Sequence, residues 1–335
     1  MKPFQSCTLF FMLIVIFFPN SSAFSEESEK FLNKTQVYIS KFYEDESIPV
    51  AFTGGTLGRL EGLAGGINDQ GSIAHYATII DYLKEIVGDD HLLVDAGNFY
   101  PDDYKNPGAV AKVFMEALDI IGYDAVGIGP LDLELGKKYL KKIDRKTNLH
   151  FISTNLVRIK SEKPIFKPYV FKNVGGKQLA VLSLLPPINL DEKYPKKWKN
   201  TKIVSPEEAL KRFLPKIKGK SDKIVVLSGM GIYDLVDLKK KFPEVALFLG
   251  STPMDDDEAY FLKEREETEE IIMVRQEIFS VNNDLEYRGP SVYLLNLMQT
   301  EQKRISSMTF LWFGVINANY KVHNFLQSYG KLVTR

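Results

Sequence analysis

The polar residues able to hold an ion or act on a substrate lie just after apolar runs, where strands would end. Asp95 and Asn98 bracket Asp95-Ala96-Gly97-Asn98, Asp132 and Glu134 follow Gly129, Asn155 follows Phe151, and Ser228 closes the run 223–227. Carboxylates and amides brought together at such ends could coordinate a hard divalent cation, which takes oxygen ligands. Asp255-Asp256-Asp257-Glu258 has the same oxygen-rich character. Its simpler reading is acidity at a helix start, which the helix dipole favours. Asp132 and Glu134 read equally as solvated loop acids.

Other chemistries find less support. Ser228 lacks the G-x-S-x-G elbow and an ordered histidine partner. Gly54-Gly55 and Gly65-Gly66 fit neither a P-loop nor a dinucleotide fingerprint. They read as tight turns, with a backbone anion nest over 54–58 as the sharper alternative. The four histidines are His75, His91, His150 and His323. None follows a strand. They read as surface or partly packed side chains.

The elements that must position these groups alternate. The spacing predicts strands over 48–53, 91–96, 125–128, 151–157, 178–185, 223–227 and 245–249. Helices are expected over 72–87, capped by Ser72, over 107–121 with Pro107 in the first turn, and over 135–143 and 233–241. Ser205-Pro206-Glu207-Glu208 is a capping box that opens another helix. Strand and helix in turn imply parallel sheet covered by helices. After residue 290 the pattern changes to two strands, 291–298 and 305–313, that could form a hairpin, and a closing helix over 319–332. A Lys, Tyr and Trp group at 193–198 reads as an adhesive surface patch or an exposed insertion.

Composition limits the function classes. The chain has 335 residues, with 43 acidic and 43 basic side chains. The balance gives no general case for nucleic acid. Lys2, an apolar stretch over 8–19 and Ser21-Ser22-Ala23 read as a signal peptide over 1–23. The expected location is therefore exported and periplasmic, with an uncleaved anchor as the alternative. Cys7 is the sole cysteine. Cleavage after Ala23 would leave no thiol for a disulfide, nucleophile or metal site. Residues 24–47 read as a linker or outer helix, and 48–335 as one domain.

Short segments in order resemble the N-terminal catalytic domain of the periplasmic 5'-nucleotidases, within the calcineurin-like metallophosphoesterases. The family's Asn-Asp-x-His-Gly-Arg corresponds to Gly54-Gly55-Thr56-Leu57-Gly58-Arg59, followed by Leu60-Glu61. Asp-Ala-Gly-Asp appears as Asp95-Ala96-Gly97-Asn98, and the approach Gly122-Tyr123-Asp124-Ala125 is intact. Gly-Asn-His-Glu has become Gly129-Pro130-Leu131-Asp132, and Ser-Ala-Asn-Val reads Ser153-Thr154-Asn155-Leu156. Ser-His-x-Gly reads Ser228-Gly229-Met230-Gly231, and Gly-His-x-His reads Gly250-Ser251-Thr252-Pro253.

The resemblance implies an α/β fold, a four-layer α/β/β/α metallophosphoesterase-like sandwich without the nucleotidases' C-terminal specificity domain. It also implies that the ligand positions are degenerate: Gly55, Leu57, Asn98, Pro130, Leu131, Gly229, Ser251 and Pro253. Two-metal hydrolysis needs cations to bind phosphoryl oxygens and activate water. Glycine, leucine and proline side chains cannot hold them. The expectation is a non-catalytic protein with no cofactor, although an atypical divalent cation stays open. Arg59, Glu61, Asp95, Asn98, Asp132, Asn155 and Ser228 are the candidates to line the old cleft. A local hydrogen-bonding role is the alternative for Asp95 and Asn155. The expected partner is a cell-envelope protein or a small ligand, the chain acting as a binding or scaffold subunit. The competing function is a divergent phosphoesterase with a cation on Asn98, Asp132 and nearby acids.

Overall fold

The computed structural model describes residues 12–13, 47–60, 72–102, 104–254, 271–275, 277–281, 285–289, 292–298, 305–310 and 320–329. Most of residues 1–23, expected to be a signal peptide, and of 24–47, expected to be a linker or outer helix, lie outside these residues, as do Glu61, Gly65-Gly66 and the 255–258 acidic quartet.

The strands are β1 (Met12–Leu13), β2 (Ser47–Thr53), β3 (Leu92–Asp95), β4 (Ala125–Gly127), β5 (Phe151–Ile152), β6 (Leu156–Arg158), β7 (Tyr169–Val174), β8 (Lys177–Leu184), β9 (Thr201–Ile203) and β10 (Lys223–Ser228). They continue as β11 (Leu247–Met254), β12 (Ile271–Arg275), β13 (Glu277–Val281), β14 (Leu285–Gly289), β15 (Val292–Met298) and β16 (Ile305–Phe310). The helices are α1 (Ile73–Val87), α2 (Pro107–Ile121), α3 (Lys137–Asp144), α4 (Leu190–Lys193), α5 (Pro206–Ile217), α6 (Ile232–Lys241) and α7 (Tyr320–Gln327), with a 3-10 turn at Leu131–Leu135.

Two large sheets face each other. One runs β1-β16-β15-β2-β3-β4-β5 and the other β12-β11-β10-β8-β7. Their facing sides share a dry layer that includes Val50, Phe52, Val94, Val181, Val225, Leu227 and Leu249. The outer side of the first sheet packs against α1, α2 and α7, through residues such as Ile80, Phe114 and Leu326. The outer side of the second packs against α5 and α6, through Leu210, Phe213 and Leu235. The result is the expected four-layer sandwich, and strands buried on both faces account for the continuous apolar runs in the sequence.

Several local expectations hold in detail. Ser205 Oγ accepts from Glu208 N at 3.1 Å and starts α5. Pro107 opens α2 as expected, and Asn106, which the sequence reading did not single out, caps it through Ala109 N. The late hairpin forms with Val292 opposite Phe310 and joins the first sheet antiparallel to β2. β1 adds two residues at the far edge, parallel to β16. Cleavage after Ala23 would remove that edge strand.

Three expectations change. Ser72 occupies the N-cap of α1 without a side-chain cap; its hydroxyl instead bonds His75 Nδ1 at 2.8 Å, with both residues buried. The strand expected over 151–157 is two pieces, β5 in the first sheet and β6 paired with β9. Asn155 turns the chain between them: its amide accepts from Leu185 N at 2.9 Å and donates to Leu185 O and Val204 O. The 193–198 group is not a surface patch of aromatics. Trp198 and Tyr194 are buried, and Trp198 Nε1 donates to Leu133 O at 2.8 Å. An indole that buries its ring and satisfies its N–H acts as an anchor.

Candidate functional site

The C-terminal ends of β2, β3, β4, β10 and β11 bring the motif loops together. The loop after β2 is sewn to the loop after β3: Gly55 N donates to Gly97 O at 2.8 Å and Leu57 N to Asn98 O at 3.0 Å. These are amides that an anion nest over 54–58 would need, so that alternative is withdrawn. Arg59 N turns back to Thr56 O at 3.1 Å, leaving Arg59 half-buried at the end of the loop.

Asp95 is fully buried. Its carboxyl accepts from Thr53 Oγ1 at 2.7 Å and from Gly97 N at 2.8 Å. Thr53 has one hydroxyl proton and gives it to Asp95, so the Tyr123 hydroxyl 3.0 Å away donates to Thr53. Burial lifts the Asp95 pKa to about 6 against the two donors, and pushes Tyr123 up as well. The retained Gly122-Tyr123-Asp124-Ala125 segment thereby has a structural reason. Tyr123 completes the Asp95 chain, while Asp124 accepts from Leu93 N and pairs with Lys172 at 2.8 Å.

Asp132 is the centre of the arrangement. Its Oδ2 accepts from Asn98 N at 2.8 Å and Gly129 N at 2.7 Å, and its Oδ1 from Phe99 N at 2.7 Å and Tyr100 N at 2.9 Å. It is fully buried, which overturns the reading of Asp132 as a solvated loop acid. Burial pushes its carboxyl up to about 8, against the pull of four amides that favour the anion. Glu134 is partly exposed and pairs with Lys197.

Asn98 adopts a left-handed conformation, φ 61°. Its Oδ1 accepts from Leu131 N at 3.1 Å, and its Nδ2 lies 3.3 Å from both Ser251 O and Ser251 Oγ. Ser251 Oγ donates to Ser228 O, and Ser228 Oγ accepts from Met230 N. A single polar chain thus ties the loops of the first sheet to those of the second. The candidates Asp95, Asn98, Asp132, Asn155 and Ser228 do come together in this region or beside it, but as buried supports of the loops rather than as an open polar lining. Of the partners that make the network, Thr53 carried no motif signal, and Tyr123 and Ser251 stood in motif segments whose residue types did not reveal these hydrogen bonds.

The degenerate positions fit the same picture. Gly55 and Leu57 hold the first loop. Leu131 is 40% exposed, beside the half-buried Pro130. A Cβ built on Gly229 would collide with the Pro130 ring, and Thr252 Oγ1 closes over Gly229 O at 2.9 Å. Pro253 lies in β11. The dinuclear centre that the motif implies does not fit these residues. The carboxylate oxygens of Asp95 and Asp132 are committed to main-chain amides and the Thr53 hydroxyl, and the space beside Gly229 is taken by a proline ring. Among the described residues no group of three or more His, Cys, Asp or Glu side chains is placed to hold a metal ion. His91 and His150 precede β3 and β5, at the strand ends opposite these loops, burial lowers the His91 pKa, and His75 lies in α1 bonded to Ser72.

Comparison with solved structures places this architecture. The calcineurin-like phosphoesterase YfkN from Bacillus subtilis superposes with a TM-score of 0.65 at 15% identity, over 86% of this chain and 98% of that one. The chain has the calcineurin-like phosphoesterase fold. A 5'-nucleotidase precursor from Thermus thermophilus follows the same path, with a TM-score of 0.61 and 17% identity over 86% of this chain and 59% of that one. The sulfate thiohydrolase SoxB of the same organism gives 0.59 at 16% identity, covering 77% and 46%. In sequence, Protein UshA from Yersinia enterocolitica is 22% identical over 174 residues, which is half of this chain and 32% of the relative. The chain thus spans about a third of that relative's length. No family model matches the sequence. The likeness to the calcineurin-like phosphoesterases and 5'-nucleotidases is therefore clear in structure and weak in sequence. No helix among the described residues is long and apolar enough to cross a membrane.

Proposed function

We propose that this chain is a non-catalytic, exported member of the metallophosphoesterase-like scaffolds and works by binding a protein partner or a small ligand. One observation carries the reading. At the strand ends where a two-metal enzyme needs free carboxylates and imidazoles, Asp132 spends both oxygens on four main-chain amides. A cation on Asp132 would have to displace these amides from it. A buried N–H left without a partner costs about 1–3 kcal/mol. The competing reading, weak hydrolysis with an atypical cation on Asn98 and Asp132, carries that cost. The periplasmic location rests on the apolar stretch over 8–19 and the small residues before Phe24.

The deciding experiment is purification from the native envelope under gentle conditions, with mass and composition of the particle measured. A stable complex with a second protein supports a scaffold subunit. A clean monomer that hydrolyses phosphate esters in a manganese-dependent way, and loses that activity on Asn98→Ala, would sink the proposal.

A further inference from the structure

A second region of the molecule has a different chemistry. A cavity of about 800 Å³ opens between α3, the segment after β6 and the turn before β9. Nine of its twelve lining residues are Lys or Arg, among them Lys137, Lys141, Arg145, Arg158, Lys160 and Lys199. None is acidic, and Ile165 is the one apolar side chain of the lining. In a chain whose charges sum to zero this is a strong local excess. Like charges within a Debye length, roughly 10 Å at 0.1 M salt, repel one another unless an anion sits among them.

The framework that holds the cations is rigid. Lys137 N donates to Lys197 O, Ile159 N to Asn200 O, and buried Trp198 fastens the turn to the 3-10 segment. Lys137 Nζ bonds Lys199 O and Thr201 Oγ1, and burial with repulsion from Arg158 and Lys141 lowers its pKa. Arg145 Nε donates to Lys141 O, which fixes the guanidinium at the rim. Glu134 neutralises one member, Lys197. The other cations of the lining have no carboxylate ion pair among the described residues.

We infer that this cavity binds an oxyanion carrying two or more phosphate groups. The volume matches small-molecule sites, about 300–1,000 Å³. Two arginines supply forked recognition and the lysines point charge. The scarcity of apolar lining disfavours a base or an acyl chain as the recognised part, leaving the phosphates themselves, whether free or on a lipid headgroup. The inference does not depend on whether the strand-end loops are catalytic.

The test is isothermal titration of the whole protein with inorganic triphosphate, beside co-sedimentation with cardiolipin vesicles, whose headgroup carries two phosphates. Expected is saturable triphosphate binding, lost at about 1 M salt, where screening acts within roughly 3 Å. Arg158→Gln with Lys160→Gln, both at exposed positions, should weaken it about tenfold or more. Lys218→Gln with Lys220→Gln, exposed lysines outside the lining, should leave it unchanged. Vesicle binding that triphosphate displaces would assign the phosphates to a lipid headgroup, and triphosphate binding without vesicle binding to a free ligand. The inference is overturned if triphosphate fails to bind saturably, if the control pair weakens it equally, or if vesicles bind and triphosphate does not displace them.

Discussion

Single residues at the strand ends do structural work that their motif positions disguise. Asp132→Asn keeps the volume but offers one acceptor oxygen and an NH₂ group to four amide donors, so two donors lose their acceptor whichever way the amide turns. The expected loss is roughly 3 kcal/mol or more, read from urea midpoints at constant slope. Asp95 gives a pH signature. Its folded pKa of about 6 lies above the ordinary 3.8, so the folded state holds the proton more tightly. The stability it contributes is fully present below pH 3.8 and is lost as pH rises through about 6. Thr53→Val removes a donor to the carboxylate and should raise the Asp95 pKa further, widening that window upward. A carboxyl ¹³C titration checks this, and an unchanged or lowered pKa would refute the hydrogen-bond chain drawn from Tyr123 through Thr53.

At the scale of elements, the joins matter more than the propensities. The sequence reveals α2 and α5, because Pro107 in the first turn and the Ser205-Pro206-Glu207-Glu208 box are local signals. Ser205→Ala should cost about 1 kcal/mol, measured by thermal denaturation. The break between β5 and β6 is invisible in the apolar run, because the partner that forces it is remote. Asn155 is latched to Leu185 and Val204, tens of residues away. Asn155→Ala would leave Leu185 N and two carbonyls without that partner, and a destabilisation of about 2–4 kcal/mol is expected from the same denaturation series. The aromatics at 194 and 198 hide their role for a related reason. Their lysine-rich surroundings look exposed, whereas Trp198 inserts into a core assembled by α3 and the 3-10 turn.

For the whole molecule, cohesion comes from the dry layer between two sheets. Leu227→Ala in that layer should cost about 2–5 kcal/mol. Because this layer is built from residues of both sheets, fluorescence and circular dichroism should still report one transition. Manganese or zinc should leave the unfolding midpoint of the intact protein unchanged, since a ligand stabilises only in proportion to its concentration over Kd for the folded state. A rise in midpoint with either metal would show a cation site that the described loops do not reveal.

The sequence by itself determined the alternation of strand and helix, the order of the motif loops, and the replacement of the ligand side chains at Gly55, Leu57, Pro130, Leu131 and Gly229. These are local properties, fixed by residue type and by periods of two and 3.6. The tertiary structure decided what the surviving polar residues do. Whether Asp132 waits for a cation or clamps four amides depends on where residues 98–100 and 129 bring their N–H groups. Whether scattered lysines are solvated surface or one basic cavity depends on α3, the segment after β6 and the 196–200 turn meeting in space. Both are long-range facts, because the direction of a backbone amide and the spacing between remote charges are set by packing rather than by neighbours in the chain.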